Sequence, residues 1–181
     1  MNVVPGQING LLVIEPKVFG DARGFFMETW NRRKYEEAGI NVAFVQDNIS
    51  VSRRGALRGL HFQNPNPQGK LVSVLQGEVL DVVVDIRRAS STFGKYEAVH
   101  LSDENKRQFY IPPGFAHGFL VLSDTAMFHY KCTDFYSPKD EMTILWNDPA
   151  LGIKWPIPDP IISEKDAKGL LLKAVTQERL F

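Results

Sequence analysis

The stretch Thr125-Ala126-Met127-Phe128-His129-Tyr130-Lys131-Cys132 alternates along its length. Extended, it places Ala126, Phe128, Tyr130 and Cys132 on one face and His129 and Lys131 on the other. A period of two is that of a half-buried strand. Glu78-Val79-Leu80-Asp81-Val82-Val83-Val84-Asp85 repeats it in a β-branched run, with Leu80, Val82 and Val84 on one side. Similar short runs lie near residues 11–14, 42–52, 59–63, 71–75, 96–101, 108–111, 118–122 and 142–146. Turn signals separate them: Gln76-Gly77, Ser123-Asp124, Ser137-Pro138 and Asn147-Asp148-Pro149. Many short strands with such punctuation predict an all-β sandwich or barrel of the jelly-roll kind.

Helix is scarce. Residues 31–38, followed by Gly39, fit two turns with a glycine stop. Ser163-Glu164-Lys165-Asp166 reads as a second helix start, with Ser163 as cap and acids in the first turn. Trp155-Pro156-Ile157-Pro158-Asp159-Pro160 is stiff and extended, because each proline also turns its predecessor away from helix. A single domain over 1–181 is expected, with an N-terminal arm to about residue 28 and a C-terminal strap and tail from about 148.

The 181 residues are 44% hydrophobic and 23% charged, a globular mix that excludes disordered and collagen-like chains. Lys+Arg 21 against Asp+Glu 21 leaves no net charge, so a nucleic-acid partner is not expected. The lone Cys132 cannot form an internal disulfide. No apolar run approaches the ~20 residues of a membrane helix. Residues 1–10 lack a basic region followed by an apolar one, so no signal peptide is expected either. A cytoplasmic location is the resulting expectation.

Four histidines are present. His100 and His129 sit in strands without a polar cluster and read as packed or surface residues. His61, in Arg58-Gly59-Leu60-His61-Phe62-Gln63, and His117, after Ile111-Pro112-Pro113-Gly114-Phe115-Ala116, stand among glycines that point to close backbone approach. Gly55 with His61, and Pro112, Gly114 with His117, resemble the two halves of the cupin pattern. Metal-binding cupins place a second histidine where Gln63 stands, and a glutamate in the stretch that holds Lys70. Gln is a poor ligand for a divalent ion and Lys a repelling one, so this pair argues against a bound metal.

More specific motifs follow in order. They are Asp21-x-Arg23-Gly24-Phe25-Phe26-x-Glu28, Phe44-Val45-Gln46-Asp47-Asn48-x-Ser50, Leu57-Arg58-Gly59-Leu60-His61-Phe62-Gln63 and Gly69-Lys70-Leu71-Val72. Gly77-Glu78-Val79-x-Asp81-Val82-x-Val84-Asp85-Ile86-Arg87-Arg88, Ile111-Pro112-x-Gly114-Phe115-Ala116-His117-Gly118-Phe119 and Tyr130-x-Cys132-Thr133-x-Phe135-Tyr136 complete the set. Together they resemble the dTDP-4-dehydrorhamnose 3,5-epimerase family, from about residue 19 to about 168. The resemblance implies a cupin-type jelly roll with a few short helices, no metal and no cofactor. It implies a dTDP-4-keto-6-deoxy sugar as substrate and a homodimer sharing its active sites.

Both carbons to be inverted flank the ketone, so their protons are acidified. Inversion needs a base on one face, an acid on the other and a group to hold the enolate oxygen. His61 fits the base, with an unperturbed pKa of ~6.5. Tyr130, on the inner face with Phe128 and Cys132, fits the acid. Lys70 fits the enolate, and by resemblance Asp166 bonds to His61. Read singly, Tyr130 is a core tyrosine, Lys70 a solvated loop lysine and Asp166 an acid at a helix N-terminus; the joint match favours the catalytic roles.

Arg23 and Arg58 have the guanidinium fork that suits a pyrophosphate, and Gln46 and Asn48 suit a base edge or ribose. Glu28, His117, Glu141 and Lys165 match positions that the family uses around its ligand. Asp47 faces away from Gln46 and Asn48 unless the strand bends. Arg32, Arg33, Arg53 and Arg54 read as surface charges, and Phe135-Tyr136 as a core pair more than a thymine platform. Two other readings remain open: a relative acting on one carbon or as a keto-isomerase, and a non-catalytic sugar-binding cupin. The set His61, Tyr130 and Lys70 argues against the last.

Overall fold

In the computed structural model, which describes residues 1–181, the alternating runs become strands of two antiparallel sheets. In chain order the strands are β1 (Asn2–Pro5), β2 (Leu12–Glu15), β3 (Val18–Asp21), β4 (Gly24–Met27), β5 (Gln46–Arg53), β6 (Leu57–Gln63) and β7 (Lys70–Gln76). Then come β8 (Glu78–Asp85), β9 (Tyr96–Ser102), β10 (Gln108–Ile111), β11 (Phe115–Val121), β12 (Thr125–Cys132) and β13 (Glu141–Thr143). One sheet has the order β1-β2-β10-β7-β12-β5, the other β13-β6-β11-β8-β9, and β3 and β4 form a separate hairpin. Each sheet keeps its own hydrogen bonds, and the two face one another in the jelly-roll manner.

The period-two pattern decides which side chains meet between them. From the six-stranded sheet, Val72, Val74, Phe109, Ala126 and Phe128 point inward; from the five-stranded sheet, Val79, Val83, Phe115, Phe119 and Val121 do. Phe119 and Phe128 stack across the gap with ring centroids 4.1 Å apart, a contact of about 0.5–1.5 kcal/mol beyond its area. The alternate residues of β8, Leu80, Val82 and Val84, pack on the outer face against Leu151, Leu172, Val175 and Leu180 of the tail. The tail therefore buries a face that would otherwise be apolar and wet.

The helices fall where the capping signals place them. Asn31 caps α1 (Arg32–Glu37) through the Lys34 N–H, and Gly39 follows at φ +89. Ser163 caps α2 (Glu164–Ala167) through the Asp166 N–H. Tyr35 and Ile40 close over Ile14, Leu71 and Tyr110 on the outer face of the six-stranded sheet. The extended run expected from residue 42 begins only at Gln46, because Val42 and Phe44 pack beside Trp30 and Tyr35 instead of pairing. The arm also holds more strand than its composition announces. β1 and β2 extend the six-stranded sheet, and Asp21-Ala22-Arg23-Gly24 turns the β3–β4 hairpin.

Candidate active site

At one end of the space between the sheets lies a cavity of about 650 Å³. The six-stranded sheet supplies Gln46, Asn48, Lys70 and Tyr130 to its wall; the five-stranded sheet supplies Arg58, His61, His117 and Glu141. Lys165 and Asp166 enter from α2. Arg58 and His61 are three residues apart, which strict alternation would place on opposite faces. The β6–β11 ladder shifts register between His117 and Phe119, and the shift turns both inward. Gly59 and Gly118 make this possible. A Cβ on Gly59 would stand 2.5 Å from the Gly118 Cα, and Gly59 has φ +131.

His61 Nε2 lies 2.7 Å from Asp166 Oδ1. The other carboxylate oxygen of Asp166 accepts from the Gly59 N–H at 3.3 Å. Burial pushes the Asp166 carboxyl up, but the hydrogen bonds from His61, Gly59 and Ser163 outweigh it, so it lies below the usual range. Asp166 thus stays ionised and holds the His61 ring. Glu141 Oε1 stands 4.0 Å from His61 Nδ1.

Across the cavity, burial raises the Tyr130 hydroxyl above the usual phenol range, and the nearby Cys132 adds to it. Tyr130 therefore keeps a proton to donate at neutral pH. The Lys70 ammonium stands 5.9 Å from the Tyr130 ring centroid. Burial lowers its pKa against the opposing pull of Cys132, Asp81 and Glu141. His117 Nε2 bonds to Asp81 at 2.8 and 3.0 Å. Burial nonetheless holds His117 below the usual imidazole range.

At the rim, Gln46 Nε2 donates to Asn48 Oδ1 at 3.0 Å, and the Tyr136 N–H donates to Gln46 Oε1 at 2.9 Å. Asp47 points outward to Lys131 at 2.8 Å, so β5 does not bend and only its two neighbours reach the cavity. Glu141 accepts from the Tyr136 hydroxyl at 2.7 Å and pairs with Lys165. Those two bonds overcome the burial that would raise the Glu141 carboxyl, and it lies below its ordinary value. Phe135 and Tyr136 are not a core pair: they are 65% and 48% exposed, and Tyr136 lines the opening. Their loop is held out by Gln63, whose amide donates to the Asn66 and Phe135 carbonyls and accepts from the Ser137 N–H. Gln63 therefore spends its polar atoms on backbone, and no three His, Cys, Asp or Glu side chains gather as a metal site.

Two expected residues stand elsewhere. Arg23, with its side chain 90% exposed, pairs with Asp21, and Glu28 bonds to Lys34 and Asn31; neither lines this cavity. Two others had not been singled out as site residues. Asp81 is fully buried on the inward face of β8 beside Val79 and Val83; its signals were an acid inside a β-branched run and its place in one of the quoted motifs. Ser50 continues the inward face of Gln46 and Asn48 and lines the cavity.

Comparison with known proteins agrees with this geometry. The family profile described as dTDP-4-dehydrorhamnose 3,5-epimerase matches residues 5–174. The dTDP-4-dehydrorhamnose 3,5-epimerase of Pseudomonas aeruginosa is 58% identical over 164 residues, 90% of this chain and 91% of its own. That of Shigella flexneri is 57% identical over 171 residues, 93% and 94% of the two chains. The dTDP-6-deoxy-D-glucose-3,5-epimerase of Legionella pneumophila, solved in complex with dTDP-4-keto-L-rhamnose, superposes with a TM-score of 0.97 at 55% identity. That match covers 99% of this chain and 96% of the other. With relatives more than half identical over at least 90% of both partners, the chain belongs to the dTDP-4-dehydrorhamnose 3,5-epimerase family.

Proposed function

We propose that this chain is an isomerase that inverts C3 and C5 of dTDP-4-dehydro-6-deoxy-D-glucose, giving dTDP-4-dehydro-L-rhamnose, with His61 as base and Tyr130 as acid. The observation that carries the reading is their placement: His61 on the five-stranded sheet and Tyr130 on the six-stranded one, both lining one cavity. An inversion needs its base and acid on opposite faces of the sugar, and facing sheets supply that.

With the Nε2–H of His61 donated to Asp166, the neutral ring keeps its Nδ1 lone pair for the substrate proton. The C–H electron pair moves into the C3–C4 or C4–C5 bond, and the ketone oxygen becomes an enolate oxygen. Lys70 stabilises that charge from a buried position, where a cation acts more strongly than in water. The Tyr130 hydroxyl returns a proton to the carbon from the far side, and solvent resets both groups. Asp166 is a positioning residue for His61, and His117 binds the sugar while Asp81 orients its ring. Arg58 takes the diphosphate, and Gln46, Asn48, Glu141 and Lys165 surround the rest of the ligand. No cofactor enters these steps.

The active unit is a homodimer in this reading. Arg23 stands in the turn of the β3–β4 hairpin and Glu28 directly follows β4; Phe25 and Phe26 of the hairpin are exposed, and neither Arg23 nor Glu28 lines the cavity of its own chain. The hairpin brings them to the partner's cavity. No helix is long and apolar enough to cross a membrane.

The deciding experiment is incubation with dTDP-4-keto-6-deoxyglucose in deuterated water, followed by NMR. Deuterium at both C3 and C5 with L-rhamno product supports the reading. Deuterium at one carbon makes the chain a monoepimerase, and none at either makes it a binding protein.

A further inference from the structure

Ser50 Oγ is shut off from solvent, and no protein group pairs with it; no other buried side-chain nitrogen or oxygen lacks a partner. A buried hydroxyl without a partner is costly in a folded protein. Nothing holds it in place, and rotation of the side chain among its staggered positions costs little. The residue lines the cavity.

The position says what it would meet. Ser50 is paired in register with Phe128, Phe128 stacks on Phe119, and Phe119 is paired with Arg58. Ser50 and Arg58 are therefore the polar groups that the two sheets contribute at one level, over an aromatic floor. Arg58 leans toward β5, where its Nε donates to Ser52 Oγ at 3.1 Å, two residues along from Ser50. The next residue on the inward face, Asn48, is in register with Tyr130. The Ser50–Arg58 level thus adjoins the level of proton transfer. A hydroxyl beside a guanidinium is a donor pair for an anionic oxygen.

We infer that Ser50 is a ligand-contacting residue whose hydroxyl turns into the cavity and donates to a diphosphate oxygen of the bound nucleotide, alongside Arg58. This rests on the nucleotide-sugar reading above and adds a residue to its diphosphate subsite.

The test is Ser50→Ala, with dTDP binding measured by calorimetry and unfolding by thermal melt. Loss of a hydrogen bond to a charged oxygen should weaken dTDP about tenfold, and the melting midpoint should be no lower than in the unaltered protein. Unchanged dTDP affinity overturns the inference. So does a lowered midpoint, which would mean that the hydroxyl supports the fold. A loss seen in KM for the keto sugar but not in dTDP affinity places the contact on the hexose and overturns the diphosphate assignment. The unaltered protein is assayed in parallel. If it binds dTDP but does not exchange protons of the keto sugar, the epimerase reading fails while the Ser50 result stands.

Discussion

His61 Nε2 and Asp166 Oδ1 lie 2.7 Å apart although 105 residues separate them in the chain. His61, the proposed base, belongs to β6 within the five-stranded sheet, and the carboxylate bonded to it comes from α2, which lines the cavity. Asp166→Asn keeps the shape and removes the charge. Turnover should fall about 10- to 100-fold, as for other groups that orient a reacting side chain, with dTDP affinity unchanged. Full turnover in this variant would detach Asp166 from the mechanism.

His61→Ala should cost about 10²–10⁴ in rate. No proton can leave without the base, so epimerisation and solvent exchange should fall together, as NMR in deuterated water would show. Near-normal exchange would assign the base to another residue.

Acid stability should trace to Asp85, which is fully buried. Burial pushes its carboxyl up, but bonds from Arg87, Ser90 and Thr92 hold it down at about 2 against an ordinary 3.8. A depressed folded-state pKa gives stability that is complete above the unfolded value and is lost as pH falls through the folded one. Urea midpoints of the unaltered protein should therefore drop between about pH 4 and pH 2. Asp85→Asn should be weaker at pH 7 and show a shallower drop. A difference between the two that is constant with pH would contradict this.

Turnover should survive a chelator. Gln63 has its amide bonded to three backbone groups, and a lysine, Lys70, stands where an acidic ligand would be needed. Activity lost to EDTA and restored by one divalent metal would overturn this expectation.

Subunit mixing tests the shared site. Arg23→Ala and His61→Ala dimers should each be weak, and mixed dimers should regain activity, because one cavity then holds both intact residues. Light scattering should show a dimer throughout. A fully active monomer would rule the arrangement out.

Much of this was legible in the chain. Alternation in 125–132 gave the inward face of Phe128, Tyr130 and Cys132, and capping residues gave both helices. Four catalytic expectations and most binding ones meet at one cavity. What escaped depends on contacts distant in sequence. The inward turn of Arg58 together with His61 follows from the shifted β6–β11 ladder, which no local pattern announces. Asp81 reads as an interruption of a valine run until His117 is seen beside it. Tyr136 reads as core because its exposure is set by Gln63, far away in the chain.

The opposed placement of His61 and Tyr130 is tested most directly by Tyr130→Phe, with deuterium incorporation and product formation counted in one NMR experiment. The ring keeps its packing against Phe128 and loses only the hydroxyl. His61 can still remove the proton and return a deuteron from its own face, which restores the starting configuration. The expected result is deuterium in recovered substrate with little L-rhamno product. Full inversion by Tyr130→Phe would contradict the assignment and move the acid to another group.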